Sequence, residues 1–287
     1  MADVRDFGEL YTSDILIIGG GMAGLVTAIK AKETNPELDI LVVDKGIIGW
    51  NGQATKAGNG IRATSHDENG VMNALGYLVH AHTPFMNDQE FLKKYLEVHR
   101  DNIEYMHHCG VKTSVDENGN VRVFDFIPGA LDMAGIEINT CVSLRNFALK
   151  LGIRLLSRIN LFELLTNDKG KVIGAVGFDM DHGDFKIFHS KATGMATQGC
   201  HFKKIGLEFM GYGTGVGAAY RVGAIMRNVE FSTQIDIVFK KNNTPIYGGF
   251  NLICNSKGEN ITQKYIGEKQ WEVTPKLVEG MLEEVRL

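Results

Sequence analysis

Chemistry is concentrated at the start of this 287-residue chain, where glycines crowd a short interval. In SDILIIGGGMAGLVTAIKAKETNPELDILVVDK, Ser13 to Lys45, Gly19, Gly21 and Gly24 form G-x-G-x-x-G directly after the apolar run Ile15 to Ile18. The first glycine permits a tight turn, the second lets backbone N–H groups approach a pyrophosphate, and the third lets a helix pack against a strand. A second apolar run ends at Asp44, about twenty residues past the last glycine, where a carboxylate accepts hydrogen bonds from a ribose. All four parts stand in order, so residues 14–45 are predicted to be a βαβ unit that binds an adenine dinucleotide through Gly19, Gly21, Met22, Ala23, Gly24, Asp44 and Lys45. An acidic residue at Asp44 disfavours a 2'-phosphate, which leaves FAD or NAD.

The elements that must position this turn can be read around it. The helix after the glycines runs from about Met22 to Thr34 and stops at Asn35-Pro36. Within a helical region over residues 70–110, NDQEFLKKYLEVHRDNIEYMHHCG carries apolar Phe91, Leu92, Tyr95, Leu96 and Ile103 between a capping Asn87 or Asp88 and Gly110, which predicts one amphipathic helix. VKTSVDENGNVRVFDF reads as a hairpin about Asn118-Gly119. A further helix is expected over Asn139 to Leu151, an antiparallel meander over residues 161–190, and a terminal helix with Leu277, Val278, Met281, Leu282 and Val285 on one face. That apolar face needs something to pack on.

Composition narrows the partners. The chain is 44% hydrophobic with a formal net charge of -4, and no run of like charges marks it for nucleic acid or an anionic membrane. Cys109, Cys141, Cys200 and Cys254 form no CxxC pair, which argues against an iron–sulfur cluster, a metal knuckle or a disulfide framework of its own. The start lacks a signal peptide, and no apolar stretch approaches the roughly 18 residues of a membrane span. A cytoplasmic protein without direct membrane insertion is expected.

The stretch GIIGWNGQATKAGNGI, Gly46 to Ile61, is rich in small residues that let backbone approach a flat ligand. Here the chain resembles the fumarate reductase and succinate dehydrogenase flavoprotein superfamily, and it looks especially like the alpha subunit of adenylylsulfate (APS) reductase. KVIGAVGFDMDHGDFKIFHSKATGMATQG, Lys171 to Gly199, is similar to the family's meander and "ATGG" strand end, and GYGTGVGAAYRVGAIMRNVEFS, Gly211 to Ser232, to its "TGDGxxMAYRAGAxLxxMEF" helix. The resemblance implies an α/β fold: a Rossmann-like FAD-binding domain over residues 1–235 with an inserted antiparallel meander, then the start of a capping domain over residues 236–287. It also implies FAD, with Gly52, Gln53, Ala57, Gly58, Asn59 and Gly60 along the flavin and Ala196, Thr197 and Gly199 at the strand end. Family members continue well beyond this length. The resemblance therefore implies either a split subunit, with a second polypeptide completing the flavin and substrate site, or a truncated or degenerate relative; it also implies an iron–sulfur electron-transfer partner, since the chain's own cysteines cannot hold a cluster.

Several positions depart from the family pattern. Gln53 falls where relatives with covalent FAD carry a histidine, so the FAD is expected to be non-covalent. Tyr247 falls at the arginine that resembles the proton donor of fumarate reduction; a phenol donates a proton but holds no dicarboxylate charge. The neighbourhood of the APS reductase arginine reads Ile or Val. Gln198, Thr193-Gly194 and Thr214 replace a glycine, apolar strand residues and an aspartate, which suggests a weakened strand and an altered site. His66 and Tyr247 remain as catalytic candidates. His80, His82, His107 and His108 show no metal-ligand spacing, so no metal is expected. Trp50 either covers the flavin or packs, Glu230 has a family counterpart, and Arg221 should close a helix end by a salt bridge. The leading expectation is an FAD-binding oxidoreductase subunit. Two alternatives stand beside it, a non-catalytic FAD-binding scaffold and an NAD-binding module.

Overall fold

The computed structural model describes residues 7–55, 60–64, 68–82, 85–127, 131–199, 211–229, 238–239, 241–242, 244–245, 252–267 and 275–286. The expected βαβ unit is β1 (Glu9–Ile18), α1 (Met22–Thr34) and β2 (Ile40–Asp44), with α1 ending at Asn35. The C-terminal end of β1 and most of β2 are buried on two faces, and their period-2 alternation divides the core. Ile17, Ile40 and Val42 face a cluster with Leu25, Ile29 and Leu144, whereas Leu16, Ile18, Leu41 and Val43 face a second one with Phe188 and Leu164.

Between β2 and the next strand of this sheet come β3 (Gly60–Ala63), α2 (Glu68–Tyr77), α3 (Gln89–Glu97), α4 (His99–His108), β4 (Val123–Ile127), β5 (Leu131–Gly135) and α5 (Thr140–Lys150). The small antiparallel sheet has order β3-β5-β4. Then β6 (Arg154–Ser157), β7 (Ile159–Thr166), β8 (Val172–Asp179) and β9 (Phe185–Met195) complete a six-stranded sheet of order β6-β2-β1-β9-β8-β7. The meander is the expected one, and its last strand also pairs with β1 in parallel, from Glu9↔Lys186 to Ile18↔Met195. The sheet is parallel across β6, β2, β1 and β9 and antiparallel beyond.

Three expectations require correction, and a fourth is met in part. The helix foreseen over 87–110 is two helices, broken at Val98 (φ -101°, ψ 4°). The Leu96 carbonyl accepts from Thr64 Oγ1 at 2.9 Å and from the Val98 N–H, so it does not serve Arg100 as a continuous helix would require. The Asn118-Gly119 turn forms, with Gly119 at φ +84°, but its arms meet only at the Val115↔Val121 bridge, and β4 pairs with β5 instead. Thr193-Gly194 do not interrupt β9, because a side chain at 194 would press on Ile17 Cδ1 at 2.8 Å and glycine fits the gap. Finally, α6 (Thr214–Arg221), β10 (Val238–Phe239) and β11 (Thr244–Pro245) are followed by α7 (Ile261–Tyr265) and α8 (Pro275–Arg286), and the face of α8 is partly covered within the chain. Leu277 is buried with Ile261, Gly280 lies under the Tyr265 ring, and Leu282 stays exposed. Glu284 seals this contact by accepting from Lys264 Nζ at 2.7 Å, Asn255 Nδ2 at 2.9 Å and the Tyr265 hydroxyl at 2.9 Å, and these partners pull its carboxyl down to about 2.

Candidate functional site

A cleft of about 680 Å³ opens where β1, β2 and β9 end. Gly19, Gly21, Met22, Ala23, Asp44, Lys45, Gly52, Gln53, Gly60, Ala196 and Thr197 line it. The glycines divide their tasks as the spacing predicts. Gly19 sits at φ +115°, and a Cβ there would lie 2.4 Å from the Ala196 carbonyl oxygen, so this turn must be glycine to pass the end of β9. A Cβ on Gly24 would fall 1.8 Å from the Gly19 carbonyl oxygen, which fixes how closely α1 approaches the turn. Gly21 differs from both: its φ of -79° suits any residue and nothing lies within 4 Å of an added Cβ. It faces the cleft as the N-cap of α1, with no side-chain cap and no acidic residue in the first turn. Such a helix start offers unpaired N–H groups and a positive dipole end to an anion.

Asp44 organises the same turn. Its Oδ2 accepts from the Gly20 N–H, and its Oδ1 accepts from the Gly46 N–H and Asn51 Nδ2, each at 2.7 Å. A carboxylate offers about four lone-pair sites, so three protein bonds leave acceptor capacity toward the cleft. Lys45 projects from the next position, its Nζ 4.7 Å above the Tyr212 ring, and partial withdrawal from water holds its pKa below the ordinary lysine value. Across the cleft, Gln198 Nε2 donates to Gln53 Oε1 at 3.2 Å, so two of the departures from the resembled pattern meet over a separation of 145 residues. Gly60 brings β3 to the rim, and α6 adds Thr214 and Gly215 beneath Thr197.

The other expected site residues fall elsewhere. Gly24 and Gly199 are not among the lining residues; Gly24 is buried under the Gly19 carbonyl, and Gly199 is exposed, its carbonyl against Gly211. Trp50 is 62% exposed and is not among the lining residues, so it neither packs in the interior nor lines the cleft, which corrects both expected roles. Ala57, Gly58, Asn59, His66, Glu230 and Tyr247 lie outside the described residues. His80 meets Phe85 edge-on, His107 Nδ1 is 3.0 Å from Thr113 Oγ1, and His108 lies against Phe147. Among the described residues no three metal-ligating side chains converge. Arg221 ties α6 to β7, donating to Glu163 Oε2 at 2.8 Å and to the Phe162 carbonyl at 2.7 Å, as expected of a residue closing a helix end.

Tyr95, Glu137, Asn160 and Tyr212 also line the cleft and were not anticipated. They come from elements whose proximity only the folded chain reveals. Asn51 stood beside the glycine stretch and could have been flagged as a short polar side chain able to bind a nearby carboxylate. Behind Tyr95, at 4.4 Å between ring centroids, His99 is 3% exposed, and neither ring nitrogen has a hydrogen-bond partner among the described residues. Burial, aided by the nearby Arg62, pushes its pKa down to about 4.

Comparison with known proteins shows the family. A family model described as FAD binding domain matches residues 14–234. The 8-methylmenaquinol:fumarate reductase flavoprotein subunit of Wolinella succinogenes is 26% identical over 280 residues, covering 92% of this chain and 44% of that protein. The fumarate reductase flavoprotein subunit of Mycobacterium tuberculosis is 25% identical over 236 residues, covering 76% and 38%. In fold, an E. coli quinol fumarate reductase aligns with a TM-score of 0.82 at 19% identity over 97% of this chain and 51% of the other. Adenylylsulfate reductase of Archaeoglobus fulgidus aligns with a TM-score of 0.75 at 20% identity over 97% and 48%. The chain thus spans less than half the length of these two curated relatives.

Proposed function

This chain belongs to the FAD binding domain family and its cofactor is FAD; from that premise we propose that it is the flavin-holding part of an oxidoreductase. It binds FAD non-covalently, with the pyrophosphate at the start of α1 and the flavin along Gly52, Gln53 and Gly60. FAD when bound supplies the redox chemistry, while the chain supplies position and electrostatics. Gly21, Met22 and Ala23 offer backbone N–H groups to the phosphates. Asp44 keeps the turn in shape and accepts from the ribose, and Lys45 adds a cation at the mouth. Gln53 has no nucleophilic nitrogen for a flavin linkage, so denaturation should release the flavin intact. Electrons pass to an iron–sulfur partner.

The observation that carries this reading is Gly21, a glycine that neither its backbone angle nor its neighbours demand. Only something occupying the cleft requires that position to stay bare. Gly21→Val should therefore cost the flavin-free chain no more than about 1 kcal/mol, the loss of a favourable cap residue, and lower FAD affinity at least a hundredfold, measured by equilibrium dialysis of bound flavin. A variant that keeps its flavin with unchanged affinity refutes the placement. The scaffold reading has one observation in its favour: the described lining offers Lys45 and no arginine for an anionic substrate. Bound flavin that dithionite reduces and the iron–sulfur partner does not would establish it.

A further inference from the structure

A second cleft, of about 410 Å³, adjoins the first and shares Tyr95 with it. We propose that it is a ligand site of its own, taking an organic anion with a flat apolar body, of the arylcarboxylate class. Its volume lies in the range of small-molecule pockets. One wall is α3, which presents Phe91 at 74% and Tyr95 at 46% exposure; the Phe91 ring stands in the open, and the Tyr95 ring covers His99 with one side. The other wall is Arg227 and Asn228, from the segment after α6. Rings on one side and a guanidinium on the other are complementary to an aromatic ring ending in a carboxylate.

The charge argument favours an anion. Asp88 is already engaged: its Oδ1 accepts from the Phe91 N–H as the cap of α3, and its Oδ2 lies 3.2 Å from Arg227 Nη1. That pair is exposed, so its exchange for a ligand carboxylate costs little, and the guanidinium has donors beyond the one facing Asp88. The rim is held in an unusual shape. Three non-glycine residues among those described have positive φ, and two of them flank this cleft: Phe85 at +60° and Asn228 at +57°. Asn228 Nδ2 donates to the Met86 carbonyl at 3.3 Å, joining the two strained segments. Strain of this kind gathers at ligand clamps.

The test is isothermal titration of the flavin-loaded protein with benzoate, with benzyl alcohol as the uncharged counterpart. Saturable one-to-one benzoate binding is expected, at least tenfold weaker for benzyl alcohol. Arg227→Gln and Phe91→Ala should each weaken benzoate at least tenfold. Asp88→Asn keeps a capping side chain and removes the competing charge, so it should tighten benzoate several-fold. Bound FAD, read at its visible absorption band, stays unchanged in all three variants, which separates this site from the flavin site. Absence of saturable binding, equal binding of benzyl alcohol, or indifference of benzoate to Arg227→Gln overturns the proposal.

Discussion

His99 makes the stability of this protein depend on acid in a way that one substitution should abolish. The imidazole is buried beside Tyr95 with Arg62 nearby, and its pKa in the folded chain falls from the ordinary 6.5 to about 4, chiefly through desolvation. The folded state therefore refuses a proton that the unfolded state accepts. Above pH 6.5 the residue is neutral in both states. As pH drops from 6.5 toward 4 the unfolded chain takes the proton first, and stability declines by at most about 1.4 kcal/mol per pH unit. At pH 5 the loss from this group is about 2 kcal/mol, and it levels off near 3 kcal/mol below pH 4. His99→Leu removes the titration and also removes two buried nitrogens without partners among the described residues, each a desolvation cost on the order of 1 kcal/mol. Urea unfolding at pH 7.5 and pH 5.0 in excess FAD measures both effects. The wild type should lose about 2 kcal/mol more than His99→Leu between the two pH values, with the variant at least as stable at pH 7.5. Equal losses in both proteins refute the burial of a neutral His99.

The remaining predictions concern the turn and the last helix pair. Gly24→Ala places a methyl 1.8 Å from the Gly19 carbonyl oxygen, backbone against backbone, and should cost more than about 4 kcal/mol, seen as a collapse of the urea midpoint that Gly21→Val does not share. Asp44→Ala deletes three bonds to its carboxylate and should destabilise the flavin-free chain by roughly 3–5 kcal/mol, with Asp44→Asn intermediate; unchanged thermal unfolding of the flavin-free protein would leave Asp44 only a ribose role. Gly280→Ala should destabilise by driving a methyl to 2.4 Å from the Tyr265 ring, although alanine in an unpacked helix would stabilise by about 1 kcal/mol. The sign of the change, read by hydrogen exchange across 261–286, decides whether α8 packs on α7.

The parts of the fold legible in the sequence are those with local causes. From the end of β1 through β2 the β1–α1–β2 unit could be bounded to within a few residues because glycine spacing, apolar runs and Asn35-Pro36 act over short distances, whereas the five residues of β1 before Asp14, set by pairing with β9, could not. The meander was legible for the same reason, through its turns. The division of 87–110 into two helices was hidden because it depends on a hydroxyl at Thr64, 32 positions before the carbonyl it captures at Leu96. Thr193-Gly194 looked like weak strand for want of knowing that Ile17 presses on that spot. In the cleft, the contacts at the glycine turn and at Ala196 and Thr197 could be anticipated from motif and resemblance. Tyr95, Glu137 and Asn160 could not, since nothing near them in sequence marks a ligand.

Strand β9 explains why the two legible halves of the site meet at all. A meander joined only by hairpins would form a separate antiparallel layer, and Ala196 would have no reason to stand beside Gly19. Instead β9 runs parallel to β1 from Glu9↔Lys186 through Ile18↔Met195, and the Ala196 N–H donates to the Ile18 carbonyl at 2.8 Å. The register is pinned at both ends: Phe185 backbone leaves no room for a side chain at Gly8, and the Ala196 carbonyl leaves none at Gly19. Tyr11 stacks on Phe188 at 5.2 Å between them. A slip of one residue would reverse the faces of β9, turning Phe188 out of its cluster and moving the Ala196 carbonyl off the glycine turn. The meander therefore does more than decorate the nucleotide fold: its pairing with β1 carries Ala196 to a hydrogen bond with Ile18, the residue before the turn that begins at Gly19 and 178 positions earlier in sequence.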